Sequence, residues 1–286
     1  MVYFALLLLC STLFIVASSP PRVLVLDDLR DFTSPESKAF ISSLRNSLLS
    51  HGYAHIPNFV NPSTFEAEAR SLLPSSFRST QTHTIFQEDV DPSLAPSHIR
   101  NLHVKSSKLI VDAAKLPPSS PLSSLYRRPE FLDLIRRVVG AKELHLSADE
   151  YNGCYYNVYT AGDGLGWHFD NSLFGVNLIL SSPEGGGGDF EIDAEKTRGE
   201  GYDDDDDYAV VYSNVADAVG GRRKTRKPNL EPGVLCIFAG RDSIHRVTPV
   251  EGGERVNAIF TFEKEKGVKM GEYGLKKFFG RGNENR

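Results

Sequence analysis

The sequence predicts a mainly β fold with flanking α: a jelly roll, or double-stranded β-helix, carried on N-terminal supporting helices. Three observations lead there. Short apolar or alternating segments recur beyond position 140, at 144–148, 154–160, 167–170, 176–180, 189–192, 234–238 and 255–263. Seven or eight such strands, separated by turn residues, suit a closed antiparallel architecture. Helical patterns are confined to the first half, and 24 Gly with 16 Pro supply the turns that many short strands need.

In chain order, Ser34-Pro35-Glu36 opens a helix with apolar residues at Phe40, Ile41, Leu44, Leu48 and Leu49, closed by Gly52. A strand follows at 53–60, and Pro62-Ser63 begins a second helix that runs to about Leu73. Residues 76–106 are polar and irregular and read as a substrate-covering loop. A third helix spans 129–139, with Gly140 as its stop. Within 255–262, Val256, Ala258, Phe260 and Phe262 share one face of a strand, while Arg255, Asn257, Ile259 and Thr261 share the other. The division is thus 1–19 a leader or anchor, 20–140 helical support with its covering loop, 141–266 the jelly roll, and 267–286 a tail.

The run 4–17 is mostly apolar and is followed by Ser18-Ser19-Pro20-Pro21. That is the length of a signal-peptide core and short for a membrane span. It predicts the secretory pathway, either the endoplasmic reticulum lumen or export, with organelle targeting or a retained membrane anchor as alternatives. Cys10 lies in this segment; Cys154 and Cys236 lie in apolar strands and read as buried free thiols. A net charge of −5 gives no basic surface for nucleic acid. The acidic run 203–207 lacks the Gly and terminal Glu spacing of a calcium loop, and with the basic cluster 222–227 reads as a pair of solvated charges in a long insertion.

The chemistry lies in Gly166-Trp167-His168-Phe169-Asp170, followed 77 residues after His168 by His245 in Ser243-Ile244-His245-Arg246-Val247. Two imidazoles and one carboxylate on one face of a metal leave the opposite positions open, which suits non-haem Fe(II) and O₂. Zinc would use similar ligands. Ten residues past His245 stands Arg255, whose guanidinium fork suits bidentate capture of a carboxylate. Zinc alone would leave that arginine without a purpose; 2-oxoglutarate offers the carboxylate. His51, His55, His83, His98, His103 and His145 read as ordinary surface or core histidines.

In these motifs, in the Gly-rich 184–190 and in Pro232-Gly233, the chain from about 50 to 265 resembles the Fe(II)/2-oxoglutarate-dependent oxygenases. The stretch from His168 to Leu180, with Asp189-Phe190-Glu191, Arg198 and 240–250, is most similar to the group of free-amino-acid (lysine) halogenases and hydroxylases. The resemblance implies His168, Asp170 and His245 as metal ligands and Arg255 at the co-substrate. Tyr155, Asn157 and Tyr159, on one strand face, and Asn257 are candidates to hold 2-oxoglutarate. It implies hydroxylation of an unactivated C–H bond, with 2-oxoglutarate and O₂ consumed, succinate and CO₂ released, and ascorbate as reductant. In the halogenating members a small residue replaces the carboxylate and opens an iron position for chloride. Here Asp170 fills that position, so hydroxylation is expected.

The expected substrate is a free amino acid or similar small molecule, with Glu150, Asn171 and Arg100 as candidate contacts for its charged ends. A prolyl or lysyl hydroxylase acting on peptides of the secretory pathway is the competing reading, which the leader favours. Against its prolyl form, Arg255 stands where those enzymes commonly carry lysine. The Asn157-x-Tyr159 spacing is shared with the nucleic-acid demethylases, a distant alternative. A jelly-roll binding module without catalysis is the non-enzymatic one. A membrane partner is expected only if the leader is retained.

Overall fold

The computed structural model describes residues 32–198, 208–271, 274, 275 and 279. The leader 1–19 and the acidic run 203–207 lie outside the described residues. None of the described helices is long and apolar enough to cross a membrane.

Helix α1, Pro35–His51, begins where the Ser34 side chain accepts the Ser37 N–H at 3.1 Å. It ends where Gly52 takes a left-handed φ of 75°, a conformation that costs glycine little. It buries Leu44 and Leu48, while Leu49, expected on the same face, is exposed. Strand β1 is Tyr53–Ile56, shorter than 53–60 because the chain turns through Asn58 at positive φ. Helix α2, Pro62–Ser71, is capped by Asn61, and its Glu68 accepts hydrogen bonds from Tyr156 and Ser120.

The segment expected to be an irregular loop, 76–106, is sheet at both ends and free of strands between them, from 85 to 102. Strands β2, Phe77–Thr84, and β3, His103–Val111, pair along eight residues. Only the connection between them remains to cover the barrel, and the N-terminal half supplies strands as well as helices. The short helix α3, Pro121–Tyr126, precedes α4, Pro129–Val139, whose buried Phe131, Leu134, Ile135 and Val138 follow the helical period.

The barrel strands follow as β5 Cys154–Tyr159, β6 Gly164–His168, β7 Gly175–Ser181, β8 Phe190–Asp193, β9 Thr225–Arg226, β10 Leu235–Phe238, β11 His245–Val247 and β12 Arg255–Phe260. The segment expected at 144–148 and the end of the one expected at 255–263 are instead β4, His145–Leu146, and β13, Phe262–Glu263, which form a separate two-stranded sheet. Helix α5, Tyr208–Val219, occupies the insertion that the sequence reading left as charged loop. In the neighbouring basic cluster Arg222, Lys224 and Lys227 are exposed, Lys227 reaching Glu191, while Arg223 is largely covered where it pairs with Asp193, both acids on β8.

The main sheet has eleven strands, in the order β1-β10-β7-β12-β5-β3-β6-β11-β8-β9 with β2 paired to β3. Strand β3 joins its halves, pairing with β5 through Leu109–Val111 and with β6 through Ser106 and Ser107. The outer face of the β1-to-β5 half packs on α1, α2 and α4 through one apolar core that includes Leu48, Phe59, Leu134, Leu178, Ile237 and Ala258. The inner face is free to line a cavity. Phe131, fully buried between Phe59, Phe260 and Phe262, fastens the helices to that sheet. Phe131→Ala leaves a cavity there, and urea unfolding should report a loss of about 3–5 kcal/mol.

Candidate metal centre

The antiparallel register of β11 and β6 sets His245 directly opposite His168. Their rings lie 4.3 Å apart between centroids. Each Nδ1 sits against a carbonyl two residues upstream, Gly166 at 2.7 Å and Ser243 at 3.0 Å. An Nδ1–H donated there fixes the tautomer and leaves Nε2 as the acceptor nitrogen.

Asp170 lies just beyond the end of β6. Its backbone N–H donates to Gly240 at 2.9 Å, and its Oδ1 stands 3.6 Å from His168 Nε2 and 3.5 Å from His245 Nε2. All three donor atoms fall within 4.8 Å of one another, the one such cluster among the described residues. Burial and the neighbouring His245 pull the His168 pKa down. Although burial alone would raise it, the two imidazoles hold the Asp170 carboxyl far below the ordinary carboxylate range. Neutral imidazole and ionised carboxylate are the forms that bind a divalent cation. The donor set therefore fits Fe(II).

Glycine makes room for this arrangement. A Cβ on Gly240 would stand 2.2 Å from Asp170 Oδ2, and one on Gly188, at φ 68°, 3.0 Å from Arg255 Cδ. Gly240→Ala should therefore push the Asp170 carboxylate off the two histidines. Manganese binding, followed by electron paramagnetic resonance, should weaken by about tenfold or more while the circular dichroism spectrum is retained.

The metal donors line one end of a cavity of about 730 Å³. Register carries three side-chain pairs of β12 and β5 onto its wall: Arg255 with Tyr159, Asn257 with Asn157, and Ile259 with Tyr155. Arg255 is buried, lies 5.2 Å from the centre of the Tyr159 ring, and donates to Asn257 Oδ1 at 2.7 Å. No carboxylate among the described residues pairs with it. A buried guanidinium without a counter-charge is costly, and the neighbouring Asn157 Oδ1 is a buried polar atom lacking any partner. The unpaired guanidinium fits a carboxylate ligand such as the end of 2-oxoglutarate, whereas Asn157 Oδ1, an acceptor, calls for a donor. Asn257 also donates to Asn177 at 2.7 Å, so it positions Arg255 more than it offers a free amide. Tyr159, its pKa raised by burial to about 12, and Tyr155 remain neutral phenols.

The three substrate contacts expected from sequence separate. Asn171 is exposed at the cavity rim. Glu150 is exposed in a turn away from the cavity, and Arg100 is held by Glu88 and the Asp89 carbonyl, outside the cavity wall. Neither of these two side chains stands on the cavity wall. Residues that the sequence reading passed over do line it. His83 and Lys108 come from β2 and β3, and His83, read as an ordinary histidine, lies 6.0 Å from the His168 ring and shares a hydrogen bond with Ser106 at 2.9 Å. The alternating Thr80, Thr82 and Thr84 were the available strand signal.

Fold and donor set together define the class, an Fe(II)/2-oxoglutarate oxygenase built on a double-stranded β-helix. Within it, a family model described as Halogenase D matches residues 36–272, and the chain belongs to that family. Among solved structures it is similar to SnoK, a non-heme alpha ketoglutarate dependent carbocyclase from nogalamycin biosynthesis, at 14% identity and TM-score 0.54 over 77% of this chain and 83% of that one. It is similar to the epimerase SnoN of the same biosynthesis at 13% identity and TM-score 0.53, over 79% and 83%. AviO1 from Streptomyces viridochromogenes Tue57 aligns at 13% identity and TM-score 0.51, over 80% and 97%. These likenesses are of fold. No curated protein sequence matches the chain.

Proposed function

We propose that this protein is a 2-oxoglutarate-dependent hydroxylase acting on an unactivated C–H bond of a free amino acid or similar small molecule. The observation that carries this reading is Asp170: its carboxylate stands 3.5–3.6 Å from both histidine Nε2 atoms, so the third protein position at the metal is filled by oxygen. That closes the place a halide would need. A cavity of about 730 Å³ is also of the size that takes small molecules, and the C-terminal residues Val268, Met270 and Phe279 help to wall it.

Iron and 2-oxoglutarate, when bound, supply the oxidising chemistry, turning O₂, 2-oxoglutarate and a C–H bond into the alcohol, succinate and CO₂. The chain supplies position. His168, Asp170 and His245 would hold the metal, and Arg255, backed by Asn257 and stacked on Tyr159, would hold the distal carboxylate of the co-substrate. The sheet's inner face and the β2–β3 pair exclude water and orient the reacting C–H bond. From the apolar run 4–17 we further infer delivery into the secretory pathway.

With Fe(II), 2-oxoglutarate, ascorbate, O₂ and chloride, the full chain should release succinate in response to one or a few free amino acids. The product should be heavier by one oxygen atom and carry no chlorine. His168→Ala should abolish both signals. A chlorinated product would overturn the hydroxylase reading, and stimulation by prolyl or lysyl peptides alone would transfer it to protein substrates.

A further inference from the structure

Lys108 is the cavity's unassigned charge. It lies on β3 one residue beyond the Leu109–Val158 pair, at the point where β3 leaves β5 for β6. This sets it beside Tyr159, which in turn pairs with Arg255 on β12. Two strand spacings separate Lys108 from Arg255, about 10 Å at the backbone. The side chain is half-buried on the cavity wall and makes no hydrogen bond or ion pair with any described residue. Burial pushes its pKa down to about 8, the Asp170 carboxylate pulls the other way, and Arg255 adds a further lowering. Lys108, Asp170 and Arg255 thus line one cavity.

We propose that Lys108 is a second carboxylate-binding group of this cavity, separate from Arg255. The proposal rests on the 2-oxoglutarate reading above, and charge balance supports it. Of the other charges on the wall, Lys264, Glu265 and Lys269 are exposed and Arg241 and Glu263 offset one another; a divalent ion, Arg255 and Lys108 then bring four positive charges, against which Asp170 sets one negative charge. The two carboxylates of 2-oxoglutarate leave one positive charge over. A buried cation without a partner is expensive, and one more carboxylate on the substrate removes the excess. The α-ammonium of an amino acid brings a positive charge of its own, so what the balance favours is an acid over the corresponding amide, by one unit of charge placed beside Lys108. The same chemistry could come from the metal-proximal carboxylate of 2-oxoglutarate, and the experiment separates the two sources.

The test is calorimetric titration of the full chain loaded with Mn(II), which binds without turnover. Wild type, Lys108→Met, Lys108→Arg and Arg255→Met are titrated first with 2-oxoglutarate. Each is then titrated, in saturating 2-oxoglutarate, with free L-amino acids and their carboxamides. Arg255→Met should lose 2-oxoglutarate affinity by about tenfold or more, as for a lost charge-assisted pair. If it does not, the co-substrate reading fails, independently of Lys108. Lys108→Met should keep 2-oxoglutarate but lose the preference for acids over amides, a preference that Lys108→Arg retains. A weakening of 2-oxoglutarate itself in Lys108→Met, by about tenfold, assigns the carboxylate to the co-substrate and also upholds the proposal. Lys108→Met behaving as wild type in both titrations, including the case where wild type does not distinguish acids from amides, overturns it.

Discussion

The cross-strand pairing of His168 with His245 is the constraint on which the rest of the site depends. Two imidazoles are brought opposite one another by backbone register, and each is turned by the carbonyl two residues upstream so that Nε2 is left facing the Asp170 carboxylate. Side-chain flexibility has little part in this. A slip of one residue in the β11–β6 register would put one histidine on the opposite face. Asp170 completes the set from outside the strand, and it can do so because Gly240 has no side chain where the carboxylate lies.

The register is protected by what surrounds it. Helices α1, α2 and α4 cover the outer face of one half of the sheet, and β3 ties that half to the half that carries the metal ligands. The inner face can therefore hold polar groups. Arg255 and Asn157 are buried there with fewer internal partners than buried polar groups usually have, while Asn257 is bonded through both its amide oxygen and its amide nitrogen. A preformed polar wall of this kind is expensive in the free protein and is compensated when charged ligands arrive. The same logic applies to the two Nε2 atoms, which both lie within 3.6 Å of Asp170 Oδ1, a cluster of electron-pair donors that a shared cation would satisfy.

Much of this was legible in the sequence because the signals were local. Ser34, Gly52 and Gly140 bounded two helices through capping chemistry, and the apolar runs of β5, β7, β10 and β12 marked the barrel. His168, Asp170, His245 and Arg255 were legible as a set because their order and spacing match a metal facial triad followed by a carboxylate anchor. Strands β2 and β3 were missed for a physical reason: a strand that lines a polar cavity on one side and meets solvent on the other carries polar residues on both faces, so Phe77–Thr84 lacks apolar alternation. Lys108 and His83 went with them. Helix α5 was obscured by the acidic run before it, although Val211, Val215 and Ala218 keep a helical spacing. Glu150 and Arg100 lie off the cavity wall, since nearness along the chain to a motif does not determine which face a side chain takes.

The most direct test of the account is X-ray absorption spectroscopy of the full chain loaded with Fe(II) and 2-oxoglutarate. The account predicts an Fe(II) centre whose outer-shell scattering requires two imidazoles, with oxygen atoms in the remaining positions. A centre with one imidazole or none, or failure of the chain to retain iron while His168 and His245 are intact, would contradict it.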